Sequence, residues 1–182
     1  FSLSTDKNAA SENIVISGLS LEEEILCITR KAENQGLKKF GLIFSSDNYG
    51  ILLKKTLGEL IADDKNSTIN YLNLKEENNL DEAIKRFSYF NLRKAKLDKE
   101  IEKISNSELD RIEKEKILEE LSKKETYGSQ PYDIIVVGEG GNKLVEILAL
   151  LSYYDIDSTN TDIVGTGIWE GLEKYQDCLL YT

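Results

Sequence analysis

The stretch YDIIVVGEGGNKLVEILALL, residues 132–151, restricts the fold more than any other part of the chain. Its Ile and Val run without polar alternation, which predicts a strand buried on both faces, and such strands belong to parallel sheets with helices on both sides. The glycines end the strand, and apolar spacing from Leu144 to Leu151 predicts a helix straight after it.

The same grammar recurs along the chain. Asn13–Ile16 reads as a short strand broken by Gly18. Ser20 and Glu23 then form a capping box for a helix whose apolar positions are Leu21, Ile25, Ile28, Thr29 and Ala32, with Gly36 placed to end it in the left-handed conformation. Phe40–Phe44 predicts a second strand, Ser45–Tyr49 a polar turn, and Gly50–Ala62 a helix. STINYLNL supplies a third strand, Tyr132–Val137 a fourth and TDIVGTG a fifth. The expected fold class is α/β, a mostly parallel open sheet flanked by helices. Right-handed crossovers put the loops Ser45–Gly50, Gly138–Asn142 and Gly165–Trp169 on one edge, where open α/β sheets bind ligands.

Residues 78–125 interrupt this rhythm with a Lys- and Glu-dense segment free of strand signals. Apolar residues recur at Ile84, Phe87, Phe90, Leu97, Ile101 and Ile104 and again from Leu109 to Leu121, with Ser107 and Asp110 able to end one helix and cap the next. Two helices are expected, forming either a solvated elaboration of the domain or an arm for a partner.

The glycine loop invites a phosphate-binding reading, which its spacing rejects. A Walker A loop needs Gly-Lys-Ser/Thr, but Lys143 follows Asn142 and precedes Leu144. The dinucleotide fingerprint needs a third Gly where Lys143 stands, and Glu139 puts a carboxylate in the would-be anion site. What is left is a glycine turn before a helix. A formal charge of −10 disfavours nucleic acid and anionic membranes. The chain has no His, which excludes Ser-His-Asp and Cys-His catalysis and the commonest zinc sites. Cys27 and Cys178 read as unpaired structural thiols. Glu22–Glu24 and Asp63–Asp64 read as solvated acids, the Tyr153–Asp157 stretch as a helix exit lacking the ligand spacing of a calcium loop, and Trp169 as a packing residue or cleft lining. No catalysis, cofactor or metal is expected.

Four phrases in series, NIVISGLSLEEEI, QGLKKFGLIFSSDNYG, YDIIVVGEGGNKLVEILALLSYYDID and IVGTGIWE, resemble the penicillin-binding protein activator lipoproteins. These are proteins of the type 1 periplasmic-binding fold, related to branched-chain amino-acid receptors. The resemblance implies that residues 1–12 cross from a first lobe and that residues 13–182 form an incomplete second lobe with a helical insertion at about 78–125. The lack of any Met fits a chain that begins inside a longer protein. The resemblance further implies an outer-membrane-anchored periplasmic protein, its anchor outside this stretch, that regulates peptidoglycan synthesis by contacting a synthase. The other role open to the fold is a transporter's receptor for an amino-acid-like ligand. Its cleft-edge positions match Ser45, Ser46, Asp47, Tyr49, Gly140 and Gly141 here, with Trp169 beside them: the serine hydroxyls and the backbone N–H groups near Gly140 and Gly141 would take a carboxylate, and Asp47 an ammonium.

Overall fold

The computed structural model describes residues 20–169; the strand expected at Asn13–Ile16, the crossover at 1–12 and Cys178 lie outside them. The described chain runs α1 (Leu21–Gln35), β1 (Lys39–Phe44), α2 (Asn48–Ala62), β2 (Thr68–Asn73), α3 (Leu80–Phe87), α4 (Phe90–Ser105), α5 (Arg111–Ser122), β3 (Ile134–Val137), α6 (Gly141–Tyr153) and β4 (Asp162–Val164), with single 3₁₀ turns at Leu74–Glu76 and Gly167–Trp169. The four strands form one sheet in the order β2-β1-β3-β4. Every pairing is parallel, with Phe40 opposite both Ile69 and Ile134, and Ile134 opposite Asp162.

Strand periodicity divides the core into two layers. Phe40, Leu42, Phe44, Ile134 and Val136 face one side, where Ile25 and Ala32 of α1 and Leu53, Leu57 and Ile61 of α2 pack on them. Ile43, Ile135 and Val137 face the other, against Ala83, Ile84 and Phe87 of α3 and Leu144, Ile147, Leu148 and Leu151 of α6. The expected α/β architecture is therefore present, with helices on both faces.

Local signals account for most element ends. The capping box forms, with Ser20 N–H donating to Glu23 Oε2 at 2.8 Å and Glu23 N–H to Ser20 Oγ at 3.4 Å, and Gly36 closes α1 at φ 71°. α2 starts at Asn48, two residues before the expected Gly50, because the Asp47 carboxylate accepts the Gly50 N–H at 2.8 Å and caps the helix. Cys27 departs from the expected buried thiol: it is exposed, since the side of α1 that meets the sheet is set by Ile25 and Ala32.

Residues 78–125 hold three helices rather than two. Tyr89 adopts a left-handed conformation (φ 53°) and interrupts the helical backbone between Phe87 and Phe90. α3 belongs to the core: Phe87 stacks on Tyr132 with ring centroids 4.6 Å apart, and the Tyr132 hydroxyl donates to the Phe87 carbonyl at 3.0 Å. α4 and α5 pack on each other, with Asp110 capping α5 through Ile112 N–H at 3.1 Å. Arg93, Leu97 and Leu121 are their buried residues.

The connection from α2 to β2 is held by Asp64, which accepts from Lys38 Nζ at 2.6 Å, Ser67 Oγ at 2.8 Å and Asn66 N–H at 3.0 Å. The Lys38 bond, helped by the other two, holds its pKa down to about 2 from an ordinary 3.8. A carboxyl depressed on folding stabilises above its unfolded pKa and loses that contribution as pH falls through the folded one. Asp64→Asn should therefore melt below the wild type at neutral pH, and the two melting temperatures should converge as pH falls from about 3.8 to about 2, as thermal unfolding across that range would show.

Candidate functional site

Strand order locates the candidate site. β1 connects outward to β2 on one side and has β3 as its neighbour on the other, so the chain reverses direction across the sheet between β1 and β3. In open α/β sheets a crevice opens beyond the carboxyl ends of the strands at such a point. The β1–α2 turn, the β3–α6 turn and the segment after β4 all lie at this edge, and contacts tie them together. The Tyr49 hydroxyl hydrogen-bonds the Thr166 hydroxyl. Trp169 Nε1 donates to the Val137 carbonyl at 3.1 Å, and Gly167 N–H donates to Glu24 Oε2 at 3.0 Å.

Two glycines are set by close approach. A Cβ at Gly165 would stand 2.0 Å from the Trp169 ring, and one at Gly140 would stand 2.9 Å from the Ile168 carbonyl oxygen. The Gly167–Trp169 turn thus folds back over the ends of β3 and β4. Gly140 precedes α6 without a side-chain cap, and Gly141 takes φ 55°, where other residues would be strained.

The residues expected from the sequence come to this edge with different degrees of engagement. Asp47 spends one carboxylate oxygen on the α2 cap. Ser45 and Ser46 are half-buried; the Ser45 carbonyl accepts Asp47 N–H at 2.9 Å, and Ser46 N–H donates to Asn73 Oδ1 at 3.1 Å. Burial, with Glu24 and Asp47 nearby, raises the Tyr49 phenol above its usual range despite the Thr166 bond, so it stays neutral and serves as a hydrogen-bonding group. Trp169 is half-buried and anchored through its indole N–H.

Two residues here were not among the site residues expected from the sequence. Glu24 looks like one of three consecutive surface acids but reaches Gly167 across the fold. Glu139 sits in the β3–α6 turn, and its Oε1 is buried with no hydrogen-bond partner among the described residues. A buried acceptor left without a donor costs about 1–3 kcal/mol, so a donor brought to this atom would offset that cost.

No protein-family model matches the chain, and no curated protein matches it; the expected kinship with penicillin-binding protein activators has no support from either. Among described residues no helix is long and apolar enough to cross a membrane. Among solved structures, the chain is similar to an ABC transporter solute-binding protein of R. palustris in complex with 4-hydroxybenzoate, at 9% identity and a TM-score of 0.50, over 82% of this chain and 30% of that one. A branched chain amino acid ABC transporter periplasmic ligand-binding protein of Burkholderia xenovorans LB400 aligns at 11% identity and a TM-score of 0.46, over 81% of this chain and 29% of that one. The chain thus spans about a third of the length of the first of these, and what the two share is the fold: a parallel α/β sheet of the kind found in periplasmic solute-binding proteins.

Proposed function

We propose that this chain is one lobe of a non-catalytic, two-lobed solute-binding protein, and that the edge formed by the β1–α2, β3–α6 and post-β4 segments is its half of the ligand cleft. Residues 13–182 would form the lobe, residues 1–12 the crossover from its partner lobe, and α4–α5 the core of a helical insertion. Under this reading the protein works in the periplasm and delivers a small ligand to a transporter. Contact with a peptidoglycan synthase, implied only by resemblance, draws on no feature of this edge.

The observation that carries the reading is Glu139 Oε1, a buried acceptor without a donor among the described residues, at the switch point of the sheet. It fits an ammonium or hydroxyl of an amino-acid-like ligand. The Ser45 and Ser46 hydroxyls and the backbone N–H groups at the start of α6 would take the ligand's carboxylate, since a helix N-terminus favours negative charge. Tyr49, Gly140, Gly141 and Trp169 would shape the wall, and Asp47 holds α2 in position through its bond to the Gly50 N–H.

The test is a thermal-shift screen of the full-length protein against amino acids, amines and aromatic acids. A ligand at a hundredfold excess over its Kd adds about 2.7 kcal/mol, a resolvable rise in Tm. Glu139→Gln keeps the shape and removes the charge, and it should weaken the responding amine at least tenfold by calorimetry. A ligand that binds wild type and Glu139→Gln equally would sink the assignment, and a well-folded protein that responds to none of the panel would sink the receptor reading.

A further inference from the structure

The opposite edge of the sheet, where β1, β3 and β4 begin, carries a second constellation. A cavity of about 770 Å³ opens there between the strand starts, the first turn of α4 and the segment 123–130. Arg93 in its wall is 3% exposed. Its Nη1 donates to the Tyr154 carbonyl at 3.3 Å, and its Nη2 donates to the Asp155 carbonyl and to Asp155 Oδ2, both at 2.9 Å. Its Nε–H is buried with no partner among the described residues.

Gln130 donates through Nε2 to the same Asp155 carbonyl at 3.0 Å, which settles the orientation of its amide. Its Oε1 is also buried with no partner among the described residues. An unpaired donor and an unpaired acceptor thus hang from one carbonyl in the wall of one cavity, and each is a group that buried structure ordinarily satisfies.

The remaining charges leave the cavity attractive to an anion. Asp155 is engaged by Arg93 and Thr126, and Asp133 accepts the backbone N–H groups of Lys38 and Lys39 at 2.8 and 2.9 Å. Lys123 is held by Glu119 at 2.7 Å, and Lys124 lies over the Tyr127 ring. The Lys39 ammonium has no ion pair among the described residues, and Glu125 on the exposed rim is the one acid of the lining without a described partner.

We propose that this cavity is a second binding site, for a small organic acid that carries a hydrogen-bond donor beside its carboxylate, as an α-hydroxy acid does. The carboxylate takes the Arg93 Nε–H and the Lys39 ammonium, and the adjacent hydroxyl donates to Gln130 Oε1. The cavity's volume admits a body larger than this anchoring group. The site lies at the other end of the strands from Glu139, so it stands or falls independently of the proposed cleft.

The test is a titration of the full chain with glycolate, followed in ¹H–¹⁵N spectra at the Arg93 Nε–H and the Gln130 side-chain amide, with propionate and inorganic phosphate as comparisons. Saturable shifts at both groups are expected, with propionate at least tenfold weaker because it lacks the donor. Gln130→Leu should remove that preference, and Lys39→Gln should weaken glycolate about tenfold; both variants leave the Arg93–Asp155 pair in place. Equal affinity for glycolate and propionate, response to phosphate alone, or a single ordered water bridging Nε and Oε1 with no response to any probe would each overturn the proposal.

Discussion

Replacing Gly50 with alanine should destabilise the protein by about 3 kcal/mol, at the upper end of what overpacking costs. On helix propensity alone the change is favourable by about 1 kcal/mol, since Gly50 lies inside α2. Geometry reverses the sign. An added Cβ would stand 1.9 Å from the Ser45 carbonyl oxygen and 3.0 Å from its carbon, and both are backbone atoms that no rotamer change can move. The β1–α2 turn would have to open, which pulls the Gly50 N–H off its 2.8 Å bond to Asp47 and shifts Ser45 and Ser46 together. Gly58 is the internal control: it also lies in α2, but its Cβ would meet only the end of the Tyr71 side chain at 2.9 Å, which can swing aside. Urea unfolding should show Gly58→Ala close to wild type or slightly above it, and Gly50→Ala far below. Equal stabilities would mean that the β1–α2 turn is not held as tightly as described. Because the turn carries half of the proposed cleft wall, any ligand response should fall with it.

The features legible in the sequence are those set by neighbours in the chain. The Ser20–Glu23 capping box and the left-handed Gly36 bound α1 as read, because both depend on contacts within a few residues. Continuous Ile and Val at 134–137 predict the central strand correctly, because burial on both faces leaves no polar alternation. The break between α3 and α4 was hidden for the same kind of reason. Phe87 and Phe90 keep a helical interval across it, and the left-handed residue is Tyr89, not a Gly or Asn that would have announced itself. Asp47 did carry a local signal, an acid between a strand and a helix, which is the position of a cap. Glu24 and Glu139 carried none for these contacts: one is defined by a bond to Gly167 across 143 positions, the other by an oxygen, Oε1, left buried with no partner among the described residues. Such roles exist only after folding: Glu24 reads as one of three solvated acids, and Glu139 reads only as a carboxylate that argues against phosphate in the glycine loop.

Phe87→Ala should cost about 4 kcal/mol, within the range for emptying a buried aromatic site, whereas Ile112→Ala should change stability by less than about 0.5 kcal/mol. The contrast separates the core from its elaboration. Phe87 is 7% exposed and fills the layer between α3 and the sheet, stacked on Tyr132 and so close to β1 that a Cβ at Gly41 would lie 2.8 Å from its ring. Truncation leaves a cavity bounded by a strand and an aromatic ring, neither of which can collapse into it. Ile112, 78% exposed on α5, has no such surroundings. If residues 78–125 were a single solvated insertion, both substitutions would be mild. If α3 is the crossover helix that covers one face of the sheet and only α4–α5 is added, Phe87→Ala alone is severe. Paired urea denaturation curves decide between these, and a mild Phe87→Ala would return α3 to the insertion and leave that face of the sheet to α6. The distinction bears on function, because the α4–α5 pair is anchored at its base by Arg93, whose guanidinium grips the Tyr154 and Asp155 carbonyls at the end of α6. Whatever α4–α5 contacts would then act on the same helix whose other end opens at Gly140 and Glu139.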